Sequence, residues 1–151
     1  MRRVGLGLSA AMLATSLTGS AHAVQQDGGA ETTLTIRAAG STLEFTPASV
    51  SAKAGTRVRI RFVNDGTLPH NVVVPKSDDD IDALALAAYQ AGETGYVPME
   101  LKEKLVAWTT LASPGQTVEV TFTVPAAGEY TYVCLFPGHS NQMLGTLRAL
   151  K

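Results

Sequence analysis

Three side chains that bind soft metal ions lie close together near the end of the chain. Cys134, His139 and Met143 form a Cys-x4-His-x3-Met pattern, and a Pro-Gly pair predicts a turn between the first two. His70 lies far upstream, where a turn precedes a β-branched run. Two imidazoles and a thiolate in one plane, with a weak axial thioether, are the ligands of a copper site that transfers electrons. The pattern therefore predicts a mononuclear copper site.

Each of these residues has a simpler interpretation when it is considered alone. A single Cys is commonly a small buried hydrophobe, and a single Met commonly fills a core. The joint occurrence favours the metal site, because beyond residue 23 the set uses every His and Cys of the chain. Met99 is the other thioether of that region, and we interpret it as hydrophobic filler because it is distant in sequence from Cys134 and His139.

The first 23 residues have the layout of a secretory signal peptide. Met1-Arg2-Arg3 gives a basic start, residues 4–17 are uncharged and mostly small or apolar, and Ala21-His22-Ala23 has small residues where a cleavage site needs them. The apolar run is shorter than the ~20 residues that a membrane span requires, which disfavours a membrane anchor. We expect cleavage after Ala23, a periplasmic or otherwise exported protein, and no transmembrane segment in the mature chain.

Composition limits the remaining possibilities. A chain of 151 residues that is 45% hydrophobic can form one domain with a substantial core. We place this domain at residues 32–151. The polar, glycine-containing residues 24–31 predict a flexible N-terminal arm. A formal net charge of −1 argues against a nucleic-acid partner.

Period-two alternation of apolar and polar residues predicts an all-β fold. The clearest case is Val58, Ile60 and Phe62, which alternate with three arginines that we interpret as a solvated strand face. About eight such runs, separated by Gly and Pro turns, predict a Greek-key sandwich or barrel. After a capping segment at residues 77–80, apolar residues at helical spacing predict one helical insertion that ends near Gly92.

Two shorter segments carry predictions of their own. Residues 42–45 read as the first part of a strand that is interrupted at Pro47. Asn64-Asp65-Gly66 has the composition of a turn.

The segment from Cys134 to Gly145, CLFPGHSNQMLG, closely resembles the C-terminal copper loop of azurin and the auracyanins. The residues around His70, LPHNVV, resemble the corresponding region of plastocyanin. Over most of residues 32–151 the chain is therefore identified as a member of the cupredoxin family. The resemblance implies a cupredoxin fold, one type 1 copper that cycles between Cu(I) and Cu(II), and soluble one-electron transfer rather than enzymatic catalysis.

The chain departs from azurin at two positions that concern the site. The chain has a single cysteine, Cys134, so it cannot form the disulfide that azurins carry. Pro69 stands where azurin has a Gly whose carbonyl is a distant axial contact, and plastocyanin also has Pro there. We expect a four-coordinate copper bound by His70, Cys134, His139 and Met143, with the Pro69 carbonyl as a candidate weak axial contact.

The resemblance also implies roles for residues beside the ligands. Asn71 is expected to tie its strand to the Cys134 loop, and the backbone N–H groups of Asn71 and Phe136 are expected to point towards the thiolate. Such donors withdraw charge from sulfur and raise the reduction potential. Electrons are expected to pass through the exposed side of His139, surrounded by an apolar docking patch for redox proteins, whose members are Leu68, Pro137, Gly138 and Leu144.

Several redox partners and one other function are compatible with the sequence. A cytochrome, a reductase, a dehydrogenase or a membrane quinol complex would each suit a carrier of this kind, which we expect to be a monomer. A copper enzyme with further metal centres would need more ligands than two mature histidines supply, and a binuclear site would need a second Cys. A periplasmic copper carrier or storage protein would use the same ligands and remains the alternative.

Overall fold

The computed structural model describes residues 31–151, so the predicted signal peptide and residues 24–30 of the predicted arm lie outside the described residues. Eight strands and one α-helix make up the regular structure: β1 Thr32–Gly40, β2 Ser49–Lys53, β3 Arg57–Gly66, β4 Val73–Pro75, α1 Ile81–Ala88, β5 Leu105–Trp108, β6 Thr117–Thr123, β7 Gly128–Val133 and β8 Leu144–Leu150. Short 3₁₀ segments at Asp78–Asp80, Gly92–Thr94 and Met99–Lys104 flank the helix. Within this region no helix is both long and apolar enough to cross a membrane.

The strands form two sheets. The smaller sheet has the order β1-β3-β6 and the larger sheet has the order β2-β8-β7-β4-β5. The first strand of each sheet joins it in parallel, β1 to β3 and β2 to β8. Both sheets keep open edges, so the sandwich form of the prediction is confirmed and the barrel form is wrong.

Alternation along β3 generates the core between the sheets. Val58, Ile60 and Phe62 are fully buried. The arginines between them lie on the outer face, where Arg59 pairs with Glu31 and Glu119. A strand with one buried and one solvated face is the arrangement that its period-two pattern predicts.

The helical insertion covers part of the opposite face of the larger sheet. It lies between β4 and β5, and Leu84 and Ala88 of α1 are buried in a second apolar cluster with Val73 and Val133. The hydroxyl of Ser77 accepts a hydrogen bond from the Asp79 N–H, which caps the first turn. The predicted insertion is confirmed, although α1 ends at Ala88 and Gly92 begins a separate 3₁₀ segment.

Two local predictions are wrong. Asn64 to Gly66 is not a turn, because β3 continues to Gly66 and pairs with the end of β1. Residues 42–45 are not a strand, because β1 ends at Gly40, whose φ of 63° turns the chain away. Only Thr46 returns to pair, through an isolated bridge to Arg37.

Candidate metal centre

The loop between β7 and β8 is closed by its own backbone hydrogen bonds. The N–H of Cys134 donates to the Met143 carbonyl at 3.1 Å, and the N–H of Met143 donates to the His139 carbonyl at 2.9 Å. His139 donates in turn to the carbonyl of Phe136 at 3.0 Å. Gly138 has a φ of 84°, a conformation that favours glycine and lets the chain turn before His139. The loop is therefore a defined turn structure that holds three candidate ligands.

The structure brings one sulfur and two ring nitrogens together at this loop. The Nδ1 atoms of His70 and His139 are 3.2 Å apart. The Sγ atom of Cys134 is 3.8 Å from Nδ1 of His70 and 3.7 Å from Nδ1 of His139. All three side chains are buried, and their donor atoms lie within 4.8 Å of one another. This group could hold one metal ion.

His70 comes from the loop between β3 and β4, and its backbone is fixed by the segment before β6. Its N–H donates to the Ala112 carbonyl at 3.0 Å and its carbonyl accepts from the Ala112 N–H at 2.8 Å. The side-chain amide of Asn64 donates to the carbonyls of both Leu68 and Ala112 at 2.8 Å. Asn64 thus orders the segment that carries His70, a role that the turn interpretation of this residue missed.

Asn71 joins the His70 segment to two other parts of the chain. Its side-chain oxygen accepts from the N–H of Leu135, next to Cys134, at 2.8 Å. Its side-chain N–H donates to the carbonyl of Gly95 in the helical insertion at 2.9 Å. The tie to the Cys134 loop is the contact that the resemblance implied, whereas the contact with Gly95 was not anticipated.

Burial sets the protonation states of the three donor groups. It raises the pKa of the Cys134 thiol to about 11, against the opposing effect of the N–H groups of Asn71 and Phe136. Burial, and then the neighbouring His139, lower the pKa of His70 to about 4. Burial also lowers the pKa of His139. At neutral pH both imidazoles are therefore uncharged, which is the form that binds metals.

The two methionines among residues 31–151 have different surroundings. Met143 is fully buried in the main core cluster, which also contains Cys134. Met99 is 37% exposed on the helical insertion. Directly after Met143, the backbone of Gly145 lies against the ring of Tyr132, where a Cβ atom would overlap that ring. The close approach holds the start of β8 against β7.

The predicted docking residues are neighbours of the candidate ligands along the chain, and most of them are exposed. His139 itself is only 6% exposed. Each predicted docking residue is within two positions of His70, His139 or Met143 along the chain. The exposed members are Leu68, Gly138 and Leu144, and the half-buried member is Pro137. Pro69, beside His70, is also half-buried.

The donor set fits copper. Thiolate and thioether sulfur are soft ligands that select Cu(I), and imidazole suits copper in either oxidation state. Zinc would leave the buried thioether of Met143 unused, because zinc sites take Cys, His, Asp or Glu. The chemistry of the residues therefore matches a copper ion better than a zinc ion.

Comparisons with known proteins agree with this site. Residues 30–149 match the model of copper binding proteins of the plastocyanin/azurin family. The chain is 39% identical over 110 residues to auracyanin-B of Chloroflexus aurantiacus, covering 71% of this chain and 47% of that protein, or about half its length. It is 38% identical over 123 residues to auracyanin-A of the same organism, covering 80% of this chain and 75% of that protein.

A solved structure gives the same result. The structure of auracyanin A, described as a "blue" copper protein from this green thermophilic photosynthetic bacterium, matches with a TM-score of 0.74 and 38% identity. The match covers 79% of this chain and 98% of that chain. The chain belongs to the plastocyanin/azurin family of copper binding proteins. The predictions of this family, of copper as the cofactor and of electron transfer rather than enzymatic catalysis are confirmed.

The lowered histidine pKa values predict how the metal-free protein responds to acid. His70 has a pKa of about 4 when folded, against an ordinary value of 6.5, so the unfolded chain binds more protons between those values. The free energy of unfolding should therefore fall as the pH falls through this window. Urea unfolding of the metal-free protein at a series of pH values measures it.

A His70→Gln variant is the control, because it removes one of the two buried imidazoles. Its unfolding free energy should depend less steeply on pH over the same window. If the two profiles are superimposable down to pH 4, His70 is not held uncharged in the folded protein.

Proposed function

We propose that this chain is an exported one-electron carrier with a single copper ion bound by His70, Cys134 and His139, and by Met143 as a weak axial ligand. The observation that carries the proposal is the convergence of three buried donor atoms within 4.8 Å of one another. Copper, when bound, supplies the Cu(I)/Cu(II) couple. The Pro69 carbonyl is at most a distant axial contact in this proposal.

In this proposal the protein restrains the donor atoms of the copper site and excludes water from it. A carrier exchanges electrons quickly when its site rearranges little between the two oxidation states. The ties from Asn71 to Leu135 and from Asn64 to Ala112 support such rigidity. The N–H groups of Asn71 and Phe136 stabilise negative charge on the Cys134 sulfur, which favours the reduced state.

Burial of the site favours electron transfer over copper delivery. A carrier that hands copper to another protein needs its ligands within reach of the acceptor. Here His70, Cys134 and Met143 are at most 1% exposed, and His139 is 6% exposed. An electron can cross such a barrier, whereas a metal ion cannot leave without opening the loop. The release of Cu(I) to a chelator, compared with the rate of redox cycling, distinguishes the two functions.

Partners are expected to dock on the apolar surface around His139. The exposed side chains of Leu68 and Leu144 would lie against a redox protein such as a cytochrome, a reductase, a dehydrogenase or a membrane quinol complex. Apolar contacts of this kind suit brief encounters, since they do not require a fixed set of ion pairs. The signal-peptide layout of residues 1–23 supports export.

The first prediction of this proposal concerns Cys134. Cu(II) added to the mature protein should produce an intense visible band from charge transfer between thiolate and copper. Cys134→Ser should abolish that band, because a serine hydroxyl is poorly ionised and weakly polarizable. Absorption spectra of the two proteins decide the matter, with urea unfolding to verify that the variant is folded. A strongly blue Cys134→Ser protein would show that the equatorial ligand is assigned wrongly.

The second prediction separates the two methionines. A thioether stabilises Cu(II) modestly, so Met143→Leu should raise the reduction potential and keep the blue colour. A shift of about 60 mV corresponds to a tenfold change in a one-electron equilibrium. Met99→Leu is the matched control, expected to cost less than about 1.5 kcal/mol in stability and to leave the potential unchanged. Voltammetry showing the reverse pattern would contradict the axial assignment.

The third prediction tests the docking patch. Leu144 and Leu150 begin and end β8, and their side chains are 39% and 51% exposed. Leu144→Glu should slow electron self-exchange by at least about tenfold, because two copies that meet through this patch would then bring like charges together. Leu150→Glu should leave the rate unchanged, and both variants should keep the wild-type visible spectrum. Equal self-exchange rates for the two variants would exclude docking through Leu144.

A further inference from the structure

Tyr96, in the helical insertion, has an unusual backbone conformation. Among residues 31–151 it is the one non-glycine residue with a positive φ, 64°. A left-handed conformation costs a residue with a Cβ atom roughly 1–2 kcal/mol, and bulky residues rarely adopt it. Glycine would remove this cost. We therefore expect contacts of the tyrosine side chain to offset this cost.

The ring of Tyr96 belongs to a row of aromatic rings that ends at the metal centre. It packs edge-to-face on Phe136, with ring centroids 4.9 Å apart and an interplanar angle of 71°. Phe136 lies 4.8 Å from the imidazole of His139 in a tilted arrangement. His139 is in turn 5.0 Å from the ring of His70. Edge-to-face pairs at such distances contribute about 0.5–1.5 kcal/mol beyond the area that they bury.

The backbone around Tyr96 is held on both sides. Its N–H donates to the Ala91 carbonyl at 2.8 Å. The carbonyl of the preceding Gly95 accepts from the Asn71 side chain, and Gly95 lies so close to Leu111 that an added Cβ would be 3.1 Å from the Leu111 Cβ. The hydroxyl of Thr94 donates to the Val97 carbonyl at 2.7 Å. Because its backbone is anchored in this way, the Tyr96 ring can restrain the Phe136 ring that packs on it.

We propose that Tyr96 is a positioning residue for the redox centre. Its ring presses Phe136 against the imidazole of His139 and so limits the movement of the loop from Cys134 to Met143 when the charge of the site changes. The inference rests on the proposed function, since it concerns the same copper site. It assigns to the helical insertion a role in electron transfer that is separate from covering the sheet.

The ring, rather than the hydroxyl, performs this role. The contact with Phe136 is made between two aromatic rings, so Tyr96→Phe should retain it. Tyr96→Ala loses the ring and keeps the left-handed strain, because alanine also has a Cβ atom. Tyr96→Gly loses the ring and relieves the strain. The pair of small variants therefore separates the effect of the ring from the effect of the backbone.

The experiment measures two properties of each variant. In the metal-free protein, NMR gives the flip rate of the Phe136 ring, which should rise in Tyr96→Ala and Tyr96→Gly and stay at the wild-type rate in Tyr96→Phe. In the copper protein, electron self-exchange should slow roughly threefold to tenfold in both small variants and be unchanged in Tyr96→Phe. Tyr89→Ala is the control, since Tyr89 is also in the insertion but is 58% exposed.

Several outcomes would overturn the inference. Wild-type flip and self-exchange rates in Tyr96→Gly would show that any effect of Tyr96→Ala comes from the backbone. A Tyr96→Phe protein that behaves like Tyr96→Ala would transfer the role to the hydroxyl. Should wild-type protein fail to give the visible band with Cu(II), the proposed function itself fails, and the flip rate in the metal-free protein still tests the contact between Tyr96 and Phe136.

Discussion

The side chain of Asn71 joins the two segments that carry the candidate ligands to each other and to the helical insertion. Its amide accepts from the N–H next to Cys134 and donates to a carbonyl of the helical insertion, while its own backbone follows His70. The residue is fully buried, so water could not replace either hydrogen bond. An unsatisfied buried donor or acceptor costs about 1–3 kcal/mol, which makes this amide difficult to replace. The sandwich supplies the frame, and Asn71 fixes how three of its loops meet.

The burial that creates the site also determines its charge before any metal arrives. Two imidazoles with lowered pKa values and a thiol with a raised pKa form an uncharged group at neutral pH. Such a group can be buried at the end of the sandwich without counter-ions. A copper ion that binds there must displace the thiol proton, so the affinity of the site should increase with pH. The N–H groups of Asn71 and Phe136 then stabilise the resulting thiolate.

Sequence reasoning identified what depends on local pattern and missed what depends on distant contacts. The alternation through Val58, Ile60 and Phe62 was enough to predict a strand with one buried face, and the Cys134–Met143 spacing was enough to predict a metal loop. The composition around Asn64 indicates a turn, whereas its role depends on a side-chain bond to Ala112, 48 residues further along the chain. Nothing local in the sequence indicates the contact of Tyr96 with Phe136, because the two residues are 40 positions apart.

The order of strands in the larger sheet has a consequence for how the protein is made. Strand β2 has one neighbour in its sheet, and that neighbour is β8, the last strand of residues 31–151. A chain that emerges amino end first therefore holds β2 unpaired until β8 has been released. The loop with Cys134 and His139 precedes β8 directly, so its closure belongs to the final step of assembly. A polypeptide that lacks β8 accordingly leaves β2 without a partner and the carboxyl end of this loop unanchored.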